Sequence, residues 1–214
     1  MIELYTGTPG SGKSLHAAHE IRMALTKPRG ADQPVIANFD VNLKDVKRPQ
    51  AFHFVPNEEL TPKYITDFAD DFWVNVNRPF EEDYILVVLD EVQLIFNSRN
   101  WQSKGRQGMN DSRMDWLAFL SQHRKYGIRV ILIAQSAQMI DNQFRMLVEY
   151  EINHRKVSNM GIGGAIVGAM FRNRLFCMVK NLFYTNENIG VRFSIGLNRD
   201  MKMYDTYAKL RQQV

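Results

Sequence analysis

The feature that most constrains this chain is the segment at residues 7–14, Gly-Thr-Pro-Gly-Ser-Gly-Lys-Ser, which matches the phosphate-binding pattern G-x-x-x-x-G-K-[ST]. Glycines in such a loop allow backbone N–H groups to converge on phosphate oxygens, and the helix that follows adds the positive end of its dipole. The Lys13 ammonium can then reach the β- and γ-phosphates, and the Ser14 hydroxyl can ligate Mg²⁺. This segment, called the phosphate loop below, predicts a nucleotide site.

The residues on both sides of the phosphate loop supply the context that the motif requires. Residues 2–6 form a short β-prone run, and residues 14–26 have the character of a helix. Strand, loop and helix therefore follow one another in the order that a phosphate-loop fold needs. The predicted nucleotide-binding residues are Gly7, Thr8, Pro9, Gly10, Ser11, Gly12, Lys13, Ser14 and Leu15.

A second motif lies at the end of a continuous apolar run. Residues 84–89 read Tyr-Ile-Leu-Val-Val-Leu, are followed by Asp90 and Glu91, and are typical of a parallel strand buried on both faces. A carboxylate at the tip of such a strand is costly to desolvate unless a cation lies nearby. We therefore assign Asp90, with Ser14, to Mg²⁺, and Glu91 to the base that orients and polarises an attacking water.

The remaining pattern predicts an α/β fold with a mostly parallel central sheet. Further strands are expected over residues 34–38, 51–55 and 128–134, and helices over residues 61–77 and 111–126, with a helix start at residues 56–60. From residue 148 onward the β-prone runs 148–154, 175–183 and 191–195 predict an extension of the sheet or an antiparallel edge. We treat residues 1–214 as one domain, with a core at 1–150, a β-rich extension at 151–200 and a terminal helix at 201–210.

Two polar residues near the predicted strand at 128–134 have both structural and functional interpretations. Arg124 lies in the last turn of the helix predicted over residues 111–126, where positive charge suits the helix dipole; the alternative is a finger that reaches the γ-phosphate of a neighbouring subunit. Gln135 follows the strand and can contact the γ-phosphate or the attacking water, or it can simply cap the next turn.

Composition excludes several classes of protein. The formal charge of +4 and the isoelectric point near 9.2 allow a nucleic-acid partner without demanding one. A single cysteine, Cys177, forbids an intramolecular disulfide, and an N-terminus that enters a strand at once leads us to expect no signal peptide. The segment 26–29, Thr-Lys-Pro-Arg, lacks the aspartate of a guanine-reading signature, which disfavours a GTPase.

Two further segments are predicted to be loops. Residues 160–171 are apolar but include four glycines and, at 12 residues, fall short of the roughly 20 that a membrane-spanning helix needs. Residues 97–110 are rich in Asn, Ser, Gly, Lys and Arg, with Trp101 as an apolar anchor.

His16 and His19 lie one turn apart and could formally share a metal, but no further ligand has suitable spacing, so Mg²⁺ is the expected metal.

Taken in order, these motifs resemble the zonular occludens toxin (Zot) family, which comprises assembly ATPases of filamentous phages and is similar to the FtsK/HerA group of DNA-pumping ATPases. The resemblance covers about residues 1–185. It rests on the N-terminal phosphate loop, the Asp90-Glu91 strand tip, His123-Arg124 before a strand, Gln135 at that strand's end and Arg145 downstream.

The resemblance implies a phosphate-loop ATPase of the ASCE type, a three-layer sandwich that uses ATP and Mg²⁺. It also implies that Gln135 is the sensor and that Arg124 or Arg145 is the arginine finger. The implied partners are other copies of the chain in a ring, phage coat and assembly proteins, and single-stranded DNA. The implied location is the cytoplasmic face of the bacterial inner membrane.

Members of the family typically continue into a membrane span and a periplasmic tail, and neither is present in this sequence. We therefore expect an isolated cytoplasmic domain or a shortened member, without the toxin activity that belongs to the tail. Two alternatives to a motor ATPase stay open: a nucleotide-gated docking module with little hydrolysis, and a phosphate-loop kinase for a small molecule.

Overall fold

The computed structural model describes residues 1–26, 32–96 and 108–204, and only the backbone of residues 108–112. Most of the loop predicted over 97–110, including Trp101, lies outside the described residues, as does the end of the terminal helix predicted over 201–210. The described residues 108–110 belong to a helix rather than to that loop.

In the described residues, eight strands form one sheet. They are β1 (Ile2–Thr6), β2 (Val35–Ala37), β3 (Phe52–Phe54), β4 (Ile85–Leu89), β5 (Ile128–Ile133), β6 (Tyr150–Lys156), β7 (Leu175–Leu182) and β8 (Asn188–Ile195). Their order in the sheet is β3-β2-β4-β5-β1-β6-β7-β8. The first six strands are parallel, and β7 and β8 are antiparallel additions at one side. The expected mostly parallel sheet with a β-rich C-terminal extension is therefore confirmed.

Six α-helices accompany the sheet in the described residues: α1 (Lys13–Thr26), α2 (Pro62–Asn75), α3 (Gly108–Gln122), α4 (Asn142–Arg145), α5 (Gly161–Met170) and α6 (Asn198–Met203). A 3₁₀ turn at His123–Tyr126 continues α3 and ends at Gly127, whose φ of 67° is left-handed. Glycine favours this conformation because it has no Cβ, so it stops the helix directly before β5.

Both faces of the central strands are buried, which explains their continuous apolar sequences. On one face Leu4 and Val87 belong to a core that α2 and α3 cover, with Trp116 among its members. On the other face Tyr5 and Val88 belong to a second core, which α1 covers. The α/β chain is thus a three-layer sandwich, as the family resemblance implies.

Sheet order decides where the motifs meet. Strand β5 lies between β1 and β4, with Leu132 in register with both Leu4 and Leu89. Because these three strands are parallel, their carboxyl ends lie at one edge, about 5 Å apart per strand. The phosphate loop, Asp90 and Gln135 each follow one of these strands and are therefore brought to the same edge.

The loop predicted over residues 160–171 is wrong, because α5 occupies residues 161–170. Its glycines serve helix packing rather than turns. A Cβ on Gly164 would lie 2.3 Å from the Val157 carbonyl oxygen, and one on Gly168 would lie 2.7 Å from the Ser158 Cβ. No helix in the described ranges has the length and apolar character needed to cross a bilayer.

Two helix boundaries also differ from expectation. The helix start predicted over residues 56–60 is wrong, since α2 begins at Pro62 and the side chain of Thr61 caps it by accepting a hydrogen bond from the Tyr64 N–H. The helix predicted over residues 201–210 begins three residues earlier than expected, since α6 occupies residues 198–203, and Tyr204 has an extended backbone. This shift matters because Tyr204 enters the site described next.

Candidate active site

The phosphate loop is held against the β6 and β7 strands at positions where only glycine fits. Gly7 and Gly12 have φ values of 141° and 98°. A Cβ on Gly7 would lie 2.4 Å from the His154 carbonyl oxygen, and one on Gly12 would lie 2.6 Å from the Phe176 ring. Glycine at these two positions therefore lets the loop both turn and approach its neighbours.

Lys13 lies over the loop and close to the acidic end of β4. Its ammonium donates hydrogen bonds to the carbonyl oxygens of Gly7 at 2.6 Å and Thr8 at 3.1 Å. Burial lowers the pKa of Lys13, and the charges of Asp90 and Glu91 oppose that shift. Since helix α1 begins at Lys13, the first N–H groups of the helix also lack intrahelical partners here. Cation and helix end together make an anion site.

Asp90 is buried and fixed in place by Asn38. The Asp90 N–H donates to Asn38 Oδ1 at 2.7 Å, and Asn38 Nδ2 donates to the Asp90 carbonyl oxygen at 2.9 Å. The carboxylate accepts hydrogen bonds from the Glu91 N–H at 2.8 Å and from the Tyr204 hydroxyl at 3.0 Å. The Ser14 side chain also lies near the Tyr204 hydroxyl, which therefore stands close to both predicted metal ligands.

Glu91 has a backbone conformation that is uncommon for a residue with a side chain. Its φ of 52° and ψ of 41° are left-handed, and such local strain clusters at functional sites. Its carboxylate accepts a hydrogen bond from Gln93 Nε2. Glu91 therefore stands at the same edge as Lys13 with an oriented carboxylate, as a general base requires.

The donor set fits Mg²⁺ better than a transition metal. A hydroxyl from Ser14 and a carboxylate from Asp90 are the hard oxygen ligands that Mg²⁺ prefers. The described residues contain no cluster of three His, Cys, Asp or Glu side chains that could hold a metal. His16 Nδ1 lies 2.9 Å from His154 Nε2, whereas His19 Nδ1 lies 2.8 Å from Asp200 Oδ2, so the two histidines face different partners.

Gln135 lies beside the phosphate loop. Its backbone carbonyl oxygen accepts a hydrogen bond from the Gly7 N–H at 3.2 Å. Its side chain is exposed and lines an open groove of about 790 Å³ together with Thr8, Asn153 and Arg155. This contact of Gln135 with the phosphate loop is thus made by its backbone, and the sensor role of its side-chain amide stays a prediction.

The other predicted nucleotide-binding residues are spread around the loop. Thr8, Pro9 and Gly10 are exposed at its tip, whereas Ser11 is buried and its hydroxyl has no hydrogen-bond partner in the described part of the chain. Leu15 faces away toward Gly196. The tip residues are therefore accessible to a phosphate group, and Leu15 contacts the C-terminal hairpin instead.

The two candidate arginine fingers are not part of this cluster. Arg124 lies at the amino edge of the sheet, where Nη2 is 2.7 Å from Glu149 Oε2. Arg145 ends α4, and its Nη2 donates to Asn142 Oδ1 at 3.2 Å. Among the described residues neither guanidinium has a hydrogen bond or ion pair with the phosphate loop.

Sequence reasoning missed three residues that shape the site. Asn38 directly follows β2, so the rule that parallel strands end at one edge could have found it. His154 and Tyr204 had no such signal, because they come from β6 and from the residue after α6, and only tertiary packing brings them to the loop.

A family model for the zonular occludens toxin (Zot) matches residues 1–206. The chain belongs to the Zot family. The Gene 1 protein of Enterobacteria phage I2-2 is 31% identical over 180 residues, which are 81% of this chain and 46% of the relative. The Gene 1 protein of Salmonella phage IKe is 28% identical over the same shares of both chains. This Zot-family chain therefore spans about half the length of the curated relatives it matches.

The crystal structure of the N-terminal domain of the zonular occludens toxin from Neisseria meningitidis is similar to this Zot-family chain. Their TM-score is 0.54 at 18% sequence identity, and the match covers 95% of this chain and 98% of the other. At this identity the likeness concerns the fold. It confirms the phosphate-loop α/β fold for nearly the full chain.

Proposed function

We propose that this chain binds ATP and hydrolyses it with Mg²⁺ as part of a filamentous phage assembly and secretion protein. The observation that carries this proposal is the meeting of Lys13 and Ser14 with Asp90 and Glu91 at one edge of the sheet. Each of these groups has a separate task in hydrolysis of a phosphoanhydride. A parallel sheet does not by itself require that these four residue types lie together at one edge. Membership of the Zot family supports the same conclusion.

The residues divide the chemistry among them. The loop N–H groups and Lys13 bind the phosphates, and Ser14 and Asp90 would hold Mg²⁺, which when bound neutralises charge on the β- and γ-phosphate oxygens. Glu91 takes a proton from the attacking water. Gln135 reports the state of the γ-phosphate, and Arg124 or Arg145 completes the site from a neighbouring copy.

The proposed setting follows from the family resemblance and from relatives that are phage proteins. The chain acts as a homo-oligomeric ring at the cytoplasmic face of the bacterial inner membrane. Coat and other assembly proteins of the phage, and its single-stranded DNA, are the proposed partners.

Glu91→Gln tests the proposed hydrolysis. Removal of the base should lower ATP turnover by a factor on the order of 10² to 10⁴ while ATP binding is retained. Glu59→Gln, at an exposed acid in the turn before α2, is the matched control and should leave turnover unchanged. Unchanged turnover in Glu91→Gln would remove this residue from the mechanism.

The ring is tested by the dependence of turnover on protein concentration, with and without single-stranded DNA. A site that a neighbour completes should give turnover that grows faster than linearly with concentration. Strictly linear growth without a DNA response would argue against a ring that pumps DNA.

One observation favours a second function, that of a nucleotide-gated docking module with slow hydrolysis. The Tyr204 hydroxyl donates to Asp90 and lies near Ser14, so this residue, directly after α6, is close to the groups that a metal-bound nucleotide would engage. Such a module would bind ATP and change its contacts without turnover. The comparison of binding with turnover in Glu91→Gln and in the unmodified chain separates the two functions. A kinase would instead transfer phosphate to an acceptor faster than to water.

A further inference from the structure

Helix α5 presents large apolar side chains to solvent. Ile162, Ile166 and Met170 follow one another at every fourth position and have exposures of 85%, 63% and 77%. Their spacing places them on one face of the helix. No charged residue lies within α5. A helix that is apolar on all sides normally lies in a protein core or in lipid, so an exposed one marks a contact surface.

The local structure of α5 keeps this apolar face exposed. Gly164 and Gly168 form the side that packs on the 3₁₀ turn at Val157–Asn159. The Asn173 N–H donates to the Gly168 carbonyl oxygen at 2.6 Å and ties the exit of the helix to its packed side. Because the residues without side chains face the protein, the large side chains face outward.

Four cationic residues flank α5 in the chain, at the ends of the two strands that it connects. Arg155 and Lys156 end β6 before the helix, and Arg172 and Arg174 follow it before β7. Pairing of Arg155 with Cys177 and of Lys156 with Phe176 places these four cations at the same end of the β6–β7 pair. The sequence contains no Asp or Glu between residues 152 and 186.

An anionic lipid surface matches both properties. The apolar stretch of 12 residues is too short to span a bilayer, and a stretch of this length that is not buried in a core is typical of an interfacial segment. Cations beside an apolar helix face add electrostatic attraction to anionic headgroups. A second copy docking through the same surface would oppose like charges, and a nucleic acid would leave the apolar side chains exposed to water.

We infer that α5, with Arg155, Lys156, Arg172 and Arg174 at its base, is a docking surface for an anionic lipid bilayer. The apolar side chains enter the boundary between headgroups and acyl chains, and the four cations contact the headgroups. This contact is peripheral, and it holds the nucleotide edge of the sheet toward the membrane, since α5 follows the carboxyl end of β6.

Vesicle sedimentation of the full chain tests this inference. Binding is expected to vesicles that contain phosphatidylglycerol and to be much weaker with phosphatidylcholine alone. Ile166→Glu should weaken binding about tenfold or more, because it places a charge in the apolar face. Val74→Glu is the matched control, since Val74 is 83% exposed on α2, and it should bind like the unmodified chain.

A charge reversal tests the cationic part of the surface. Arg172→Glu should weaken binding to the anionic vesicles and reduce its salt dependence, whereas Lys63→Glu, at an exposed lysine of α2, should do neither. Absence of vesicle binding, or equal binding by Ile166→Glu, would overturn the inference. An oligomer that Ile166→Glu dissociates, without vesicle binding, would overturn it in favour of a second copy.

Discussion

The Tyr204 hydroxyl donates a 3.0 Å hydrogen bond to Oδ2 of Asp90 and lies near the side chain of Ser14. Burial and the Asp90 charge raise the pKa of Tyr204, so the phenol stays protonated and is the donor. Helix α6 holds it there, because the buried Asp200 pairs with Arg22 of α1. Tyr204 is therefore held beside a proposed metal ligand, Asp90.

Tyr204→Phe is expected to strengthen binding of Mg²⁺·ATP by about tenfold or more. A hydrogen bond to a charged group contributes about 1.5–3 kcal/mol, and the hydroxyl must release Asp90 before a cation can use it. Affinity for ATP in the presence of a chelator should not change. Calorimetric titration with and without Mg²⁺ measures both quantities.

The control for this substitution is Tyr64→Phe, which removes a partly exposed hydroxyl on α2. It should leave both affinities unchanged. Weaker Mg²⁺·ATP binding by Tyr204→Phe would show instead that the hydroxyl supports the bound cation, and the idea of competition would be wrong.

Gly12→Ala is expected to destabilise the fold by about 1–3 kcal/mol and to weaken ATP binding. The added Cβ would meet the Phe176 ring at 2.6 Å in a backbone conformation that favours glycine. Gly10→Ala is the control, because its φ is also positive but a Cβ there meets no atom within 4 Å. Denaturant unfolding and ATP titration of both variants measure the difference.

A double substitution separates the clash from the backbone strain. The double variant with Gly12→Ala and Phe176→Ala should lose less stability than the sum of the two single losses, because the ring is the group that the Cβ meets. Strict additivity of the two losses would mean that the loop does not depend on this contact.

The buried pair of His16 and His154 should make stability depend on pH. His154 Nδ1 lies 2.8 Å from the Ile152 carbonyl oxygen and donates to it, so its Nε2 is left to accept from His16 Nδ1. Burial lowers the pKa of both imidazoles below the ordinary value of 6.5. The folded protein then binds fewer protons than the unfolded chain below that value.

The contribution of the two neutral imidazoles to the free energy of unfolding is therefore expected to be complete above about pH 6.5. It should decrease as the pH drops toward 5. His154→Gln should reduce this slope, and His16→Asn offers a second variant with the same expectation if the first folds poorly. Denaturant unfolding across the range measures the slope. A slope unaffected by removal of either ring would contradict neutral imidazoles at these positions.

The sequence predicted those parts of the site whose residue types the chemistry itself dictates. Phosphate binding requires the glycines and Lys13, and a buried strand that ends in Asp90 signals a cation, so both motifs could be placed before any contact was known. Tyr204 and His154 could not be placed, because a tyrosine or a histidine fits many environments. The apolar α5 was mistaken for a loop, because glycine is common both in turns and at close helix contacts.

The position of Arg124 limits how it can act. It lies at the amino edge of the sheet, whereas its own phosphate loop follows the carboxyl end of β1, about 17 Å away for a strand of five residues. Its ion pair with Glu149 is exposed, so its loss should cost at most about 1 kcal/mol of stability. If Arg124 is a finger, it serves the site of a neighbouring copy.

Mixed rings test that role. Chains with Arg124→Ala or with Glu91→Gln should each have little ATPase activity alone, yet an equal mixture should recover about a quarter of the unmodified activity, since half of the sites keep Glu91 and half of the neighbours keep Arg124. The same mixture with Arg145→Ala shows which arginine is the finger. No recovery with either arginine would mean that neither completes a neighbour's site, and a linear dependence of turnover on concentration should then accompany that result.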